Sequence, residues 1–304
     1  MSKGRSLAGV AAALILAAGV APPAQAQEAA SVPPLQPAAP AGEAGTPPPL
    51  LEFGLSGGGG WLPDYPAADQ NHLKGIAVPF VTYRGEILRS DETGIRTRFY
   101  KAPRYEFDVS LDGALPASSE DNRAREGMDD LDLMGEIGPN LRLILAREPY
   151  RSRLEIELAL RGAFTLDRDG PEYQGINFAP EIAYRRLGLI TEGSFLRVGF
   201  GPVFGTDGIM DYFYNVRPED SRQGRPEHEA EAGYLGSRLQ GSFELPVTGR
   251  LSLTLGSRLD GFWGATNDDS PLFQRSYNLS IAGGFSVSLY QSKARAKAGE
   301  DPLD

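Results

Sequence analysis

"RLEIELALRGAFTL", Arg153–Leu166, is the stretch whose reading decides the fold. Leu154, Ile156, Leu158, Leu160, Phe164 and Leu166 share one parity; Arg153, Glu155, Glu157, Arg161 and Thr165 share the other. A helix would scatter these apolar residues around its circumference, whereas a strand sends alternate side chains to opposite faces. The alternation outlasts the usual globular strand of about five or six residues. Its polar face also carries full charges. Both features need a cause.

The pattern recurs. Tyr105, Phe107, Val109, Leu111 and Leu115 oppose Glu106, Asp108, Ser110 and Asp112. Leu131, Leu133, Ile137, Leu141, Leu143 and Leu145 oppose Asp132, Glu136, Asn140 and Arg142. Leu251, Leu253, Leu255, Leu259 and Trp263 oppose Arg250, Ser252, Thr254, Arg258 and Asp260. Leu279, Ile281, Phe285, Val287 and Leu289 oppose Asn278, Ser280, Ser286 and Ser288. Rougher versions lie at 51–62, 74–83, 175–186, 194–204 and 232–246, and no comparable helical pattern occurs.

A soluble sandwich and a transmembrane barrel share this pattern. The sandwich buries its apolar face, while the barrel turns it to lipid and its polar face to the lumen. Strand length favours the barrel, because a tilted membrane strand needs about 9–11 residues. The connections agree: short turns at 147–151, 188–193 and 246–249 alternate with longer polar loops at 116–130, 167–174, 205–231 and 264–274. The fold class expected is therefore all-β, a transmembrane antiparallel up-and-down β-barrel spanning 51–290. The leucine face meets hydrocarbon, and the Glu and Arg face looks inward. A hairpin around Asp91–Gly94 gives about 12 strands, with 10 as the alternative. Pro139, Pro180 and Pro202 fall inside strand-like runs, where a closed sheet has no edge for a missing N–H, so bulges or early strand ends are expected there.

The N-terminus agrees with export. Lys3 and Arg5 precede an apolar run at 7–21, and Ala24-Gln25-Ala26 offers a small-x-small cleavage site. Residues 1–26 read as a signal peptide cut after Ala26 rather than as an anchor helix. Residues 27–50, rich in Pro and Ala, read as a disordered periplasmic tether. Residues 291–304 read as a flexible charged tail, leaving both chain ends periplasmic. A formal net charge of −10 argues against nucleic-acid binding. With no cysteine, disulfides and thiol chemistry are excluded.

Several stretches are not explained by alternation. They include Gly57–Gly60 followed by Pro63-Asp64-Tyr65-Pro66 and Asp69-Gln70; Tyr83-Arg84-Gly85; Gly127-Met128 followed by Asp130-Leu131-Asp132 and Gly138-Pro139; Tyr212-Phe213-Tyr214 with Val216 and Arg225-Pro226; and Asn267-Asp268 with Ser270-Pro271. Together they resemble the MipA/OmpV family, the MltA-interacting outer-membrane barrels, over about 52–290. The resemblance implies an outer-membrane location, with outer-membrane lipid around the wall. For the namesake it implies a scaffold linking a lytic transglycosylase to a penicillin-binding protein in peptidoglycan synthesis. It carries over no catalytic residues and no cofactor. The aromatic end at Tyr290 departs from a terminal insertion strand, because more chain follows it.

Twelve charges form the candidate lumen set: Glu106, Asp108, Asp112, Glu136, Arg142, Glu155, Glu157, Arg161, Arg197, Arg238, Arg258 and Asp260. They read either as a mutually paired plug or as the lining of a polar conduit. Tyr212, Phe213, Tyr214, Arg217, Arg222 and Arg225 form a candidate outer-loop contact set, open to sugar or peptide stacking, to covering the mouth, or to self-packing. His72 and His228 lie in expected loops, and no spacing to Ser221 or Ser270 singles out a hydrolase. Asp129, Asp130, Asp132, Asp268 and Asp269 lack EF-hand spacing, so no metal is assigned. Gly57–Gly60 is not a phosphate loop, since no Lys-Ser/Thr follows; close strand packing suits it. The readings carried forward are a non-enzymatic scaffold, a channel or ligand-binding barrel, and an outer-membrane hydrolase.

Overall fold

The computed structural model describes residues 49–84, 88–91, 94–97, 100–102, 104–167 and 170–295. The expected leader with its cleavage site, residues 27–48 of the expected tether and residues 296–304 of the expected tail lie outside them. One antiparallel sheet holds β1 (Leu51–Pro63), β2 (Asn71–Arg84), β3 (Leu88–Asp91), β4 (Gly94–Thr97), β5 (Tyr100–Ala102), β6 (Tyr105–Ala114) and β7 (Leu133–Glu148). It continues through β8 (Ser152–Asp167), β9 (Gly170–Leu187), β10 (Phe195–Gly205), β11 (Gly233–Thr248), β12 (Leu251–Gly261) and β13 (Tyr277–Gln291). From β6 to β13 each strand pairs with its chain neighbour, and β13 pairs back onto β1. The sheet curls until its ends meet where β4 lies against β6. The fold is an up-and-down β-barrel.

Ten strands of 10 to 18 residues make the wall. The hairpin expected at Asp91–Gly94 is present, but β3 and β4 have only four residues each. The wall thus follows the ten-strand alternative rather than twelve full strands. The expected long loop at 167–174 is absent, since β8 and β9 stay paired to Asp167 opposite Gly170. Polar sequence there reads as loop only if hydration is its sole option; ladder bonds to a neighbouring strand are another.

The prolines produce neither early ends nor, for Pro139 and Pro180, bulges. Pro139 faces Val109 in one ladder, while pairing to β8 lapses between Ile137–Gly162 and Asn140–Ala159 without a register change. Pro180 and Pro202 share one lapse, between Phe200–Ile182 and Phe204–Phe178. Glycine precedes two of these prolines and accommodates the local squeeze. A Cβ on Gly138 would lie 2.0 Å from the Leu160 carbonyl, and one on Gly201 1.9 Å from that of Pro180. A bulge does occur beyond Pro202, between Val203 and Phe204 on the β11 side.

Burial follows the sequence parity. Arg153 and Glu155 are buried, whereas Leu160, Ile182 and Phe200 are about half exposed at 45%, 53% and 56%. An outward apolar belt on a curled sheet needs hydrocarbon around it, and ladder pairing from strand to strand along the wall satisfies backbone groups that lipid would leave unpaired. Spin labels at Leu154, Ile156 and Leu158 in reconstituted protein should be accessible to oxygen from the acyl region. A label at Glu157 should not; the opposite pattern would overturn the orientation.

Four connections at one end do not project freely. Segments 64–70, 115–132, 206–232 and 262–276 pack over the barrel mouth around Tyr65, Leu131, Met210, Phe213, Tyr214 and Leu272. Leu131, expected on the outward face, is a correction: it pairs with Ala117 ahead of β7 and is 3% exposed. The 206–232 segment also contains α1 (Asp207–Tyr214) and a 3-10 turn at Pro218–Asp220, although no helical pattern is visible in the sequence. Eight residues are too few to show a helical period clearly; α1 is fixed by packing, with Ile209, Met210, Phe213 and Tyr214 buried. The other end carries tight turns and both described chain termini. There Leu50 N–H donates to Ala294 O and Ser292 N–H to Leu51 O, each at 2.8 Å, extending the seam beyond Gln291.

Candidate functional site: a charged lumen under a closed cap

All twelve candidate lumen charges lie on the inward parity, and each has an oppositely charged partner. Arg153 reaches Glu106 at 2.9 Å and Glu155 at 2.5 Å. Arg185 joins Glu155 at 2.6 Å to Glu157 at 2.7 Å. Arg197 continues the chain from Glu157 (3.3 Å) to Glu181, which also accepts from Gln240. Arg142 pairs with Asp108 at 3.2 Å. Nearer the cap, Arg161 lies 3.4 Å from Asp112 and 3.6 Å from Glu136, and Asp260 sits between Arg238 (2.8 Å) and Arg258 (3.0 Å). Arg153, Glu181 and Arg185 were missed as candidates, yet the same period of two places them inward. Desolvating one such ion costs several kcal/mol, so alternating signs are what make the interior tolerable.

The walls differ in volume. Long Arg and Glu side chains dominate the inward positions of β6–β11, while β12, β13 and β1 offer mainly small ones, Ser252, Ser280, Ser286, Ser288 and Ser56, all buried, with Arg258 and Asp260 at the cap end of β12 and Glu52 in β1 as the charged exceptions. Large groups on one side fill space that small groups leave on the other. The glycine run in β1 belongs to the small side. A Cβ on Gly60 would lie 2.7 Å from that of Ala282, so close strand approach explains that position. Between cap and charges a cavity of about 50 Å³, touching Tyr65, Asp112, Glu136, Phe213, Arg238 and Arg258, has room for a few waters.

A family model described as "MltA-interacting protein MipA" matches residues 55–289. The chain belongs to the MltA-interacting protein MipA family. No curated protein matches the chain. A solved structure titled "Bacterial polysaccharide outer membrane secretin" is similar at 10% identity with a TM-score of 0.39, covering 79% of this chain and 99% of that one. So loose a likeness carries no argument here.

The segments that set this MipA-family chain apart from a generic barrel meet mainly in the cap. Asp64, buried, accepts from Lys74 Nζ and Asn122 Nδ2, each at 2.8 Å, and lies 2.8 Å from His72 Nδ1. Tyr65 Oη donates to Leu272 O (2.8 Å), and Tyr214 Oη to Pro66 O (3.1 Å). Ser270 Oγ donates to Tyr214 O (2.8 Å), and Asn267 exchanges two hydrogen bonds with the Glu231 backbone. Ala67 takes the left-handed conformation (φ 65°), where its N–H donates to Asn278 Oδ1 (2.8 Å) and its carbonyl accepts from Gln274 and Arg275. An alanine holds that conformation only where its surroundings over-determine it.

The outer-loop set helps build the cap. Phe213 and Tyr214 are buried, and Tyr212 Oη donates to Asp132 O. Buried Arg225 donates to the Asp220, Ala124 and Glu126 carbonyls; Arg222 meets Glu126, and Arg217 meets Asp129 and Asp220. Asp130 accepts from Ser119 N–H, and His228 bridges Val216 through its backbone. Among the described residues no group of three His, Asp or Glu gathers that would hold a metal.

Burial pushes the Tyr65, Tyr212 and Tyr214 phenols above their ordinary value of about 10. A pKa raised by folding contributes stability that is complete below the unfolded pKa and lost as pH rises above it. The cap should therefore resist protease at neutral pH and become cleavable within 206–232 above about pH 10. Limited proteolysis against pH, read by mass, checks this.

Proposed function

We propose that this protein is a non-enzymatic outer-membrane barrel acting as a scaffold between a lytic transglycosylase and a penicillin-binding protein in peptidoglycan synthesis. Membership of the MipA family, whose description names an MltA interaction, supports the partner class. The observation that carries the reading is the mutually paired charge in the interior. Its charges are engaged with one another beneath a packed cap, leaving the outer surface for contacts. The chain termini share the end opposite the cap, and that end is the periplasmic one in this reading. His72 is held beside Asp64 and His228 is tied to Val216 through its backbone, which supports structural roles for both.

Detergent-solubilised protein should retain a purified lytic transglycosylase well above an unrelated barrel of similar size. Equal retention would overturn the scaffold.

One observation favours a channel as the second reading. Ile76 and Val78 lie on the inward parity of β2, yet are 39% and 38% exposed beside Gly58, Thr254 and Gly284. An uncharged gap thus runs along the small-residue wall. In planar bilayers the intact protein should be silent under the scaffold reading. Steady conductance by folded wild-type protein would favour the channel.

A further inference from the structure

The two ends of the barrel carry opposite charge. Exposed Glu120, Asp121, Asp211, Glu229, Asp268 and Asp269, with further acids in 126–130 and 219–231, outnumber exposed Arg123, Arg217, Arg222 and Arg275 and make the cap acidic. At the turn end the exposed cations are Arg104, Arg147, Arg151, Arg250, Lys293 and Arg295, against only Glu148 and Glu192 among the described residues. A basic end on a chain of net charge −10 is a local concentration that the composition conceals.

The same end displays apolar side chains beyond the reach of acyl chains. Tyr184 and Arg186 stand together on the outward parity of β9, their polar atoms 3.5 Å apart. A tyrosine and a snorkelling arginine mark the level of the headgroups. Leu189 and Ile190 lie further along the chain, in the turn itself, and are 47% and 70% exposed.

That turn is held firmly. The Ser194 hydroxyl accepts from Ile190 N–H (3.2 Å) and Thr191 N–H (3.3 Å) and donates to Thr191 O (2.8 Å), while Gly188 N–H donates to Ser194 O (2.8 Å). The neighbouring turn, joined through Leu187 N–H to Arg151 O, presents Tyr150, exposed and with φ 58°. Bulky residues held outward on ordered turns, at an end rich in exposed cations, combine a hydrophobic anchor with a steering field.

We infer that the turn end, which presents Leu189, Ile190 and Tyr150 on two joined turns and Arg151 and Arg250 on the same rim, docks a protein partner through an acidic face bearing an apolar socket. This rests on the scaffold reading for the partner's existence but names its surface and chemistry. A protein is favoured over the anionic headgroups of the surrounding membrane because the apolar pair lies past the headgroup level.

The test is photo-cross-linking in intact cells, with p-benzoylphenylalanine at Ile190 of the full-length chain and, as a lipid-facing control, at Leu160. Folding of each variant is confirmed by heat-modifiable migration. The expected result is a discrete protein adduct at position 190 and none at 160. Mass spectrometry should identify the adduct, and its yield should fall at least about tenfold with Arg151→Glu plus Arg250→Glu. Reversing Glu229 and Asp268 on the cap to lysine should leave it unchanged. An adduct with phospholipid only, no adduct at all, or a protein adduct insensitive to the arginine reversals would each overturn the inference. If the charge-sensitive partner is not a lytic transglycosylase or a penicillin-binding protein, the scaffold reading falls while the docking surface stands.

Discussion

Replacing Glu155 with alanine should cost about 3–5 kcal/mol of barrel stability, the range expected when a buried ion pair loses one member. Glu155 is fully buried and lies 2.5 Å from Arg153 and 2.6 Å from Arg185. Without it two guanidiniums face each other, and neither can give up its proton. The loss should spread along the chain of pairs through Glu106 and Glu157, whose partners are the same arginines. Equilibrium urea unfolding in lipid vesicles measures it. Glu148→Ala is the control: Glu148 pairs with Arg151 at 2.8 Å, but both are largely exposed, so at most about 1 kcal/mol should change. Equal effects for the two variants would mean that the interior is wet and the network contributes little.

The second large effect concerns the other face of the same strand. Leu160 lies midway along β8, opposite Phe178 and 45% exposed. Leu160→Arg should destabilise the membrane-inserted barrel by about 2–4 kcal/mol, the cost of an arginine on the lipid face near the bilayer midplane. It should also reduce the heat-modifiable folded fraction in cells. A substitution from leucine to a charged residue at an exposed position would be nearly neutral in a soluble protein. A neutral outcome would therefore mean that water, not hydrocarbon, surrounds the wall.

Much of this was legible in the chain because a strand has a period of two. Once Arg153–Leu166 is extended, every side chain from 153 to 166 has an assigned face, whatever the neighbours do. Parity likewise placed all twelve candidate charges inward, and it also applies to Arg185 and Glu181, which were overlooked. Tight turns near 150, 190 and 248 were readable because turn residues act locally. The Pro-Asp-Tyr-Pro and Asn-Asp-x-Ser-Pro segments declared themselves only by not alternating.

Contacts between distant residues were not legible. No local rule links Arg153 with Glu106, Tyr65 with Leu272, or Ser270 with Tyr214. They meet because successive strands return each connection to the same rim, and the four long ones must bury their apolar groups against one another. That is also why Leu131 left the lipid-facing set, why Asp207–Tyr214 formed a helix, and why the tyrosine-arginine loop became part of a lid. The prolines teach the same lesson: each was visible, but whether the chain ended, bulged or let one ladder lapse depended on how closely Gly138 and Gly201 allowed the adjacent strand to approach. The sequence alone determined which way side chains point, since that is set by backbone geometry one residue at a time. Only the tertiary structure decided what they touch, since a barrel brings together groups separated by more than two hundred positions, such as Tyr65 and Leu272, and a closed interior admits only pairings whose charges and volumes match.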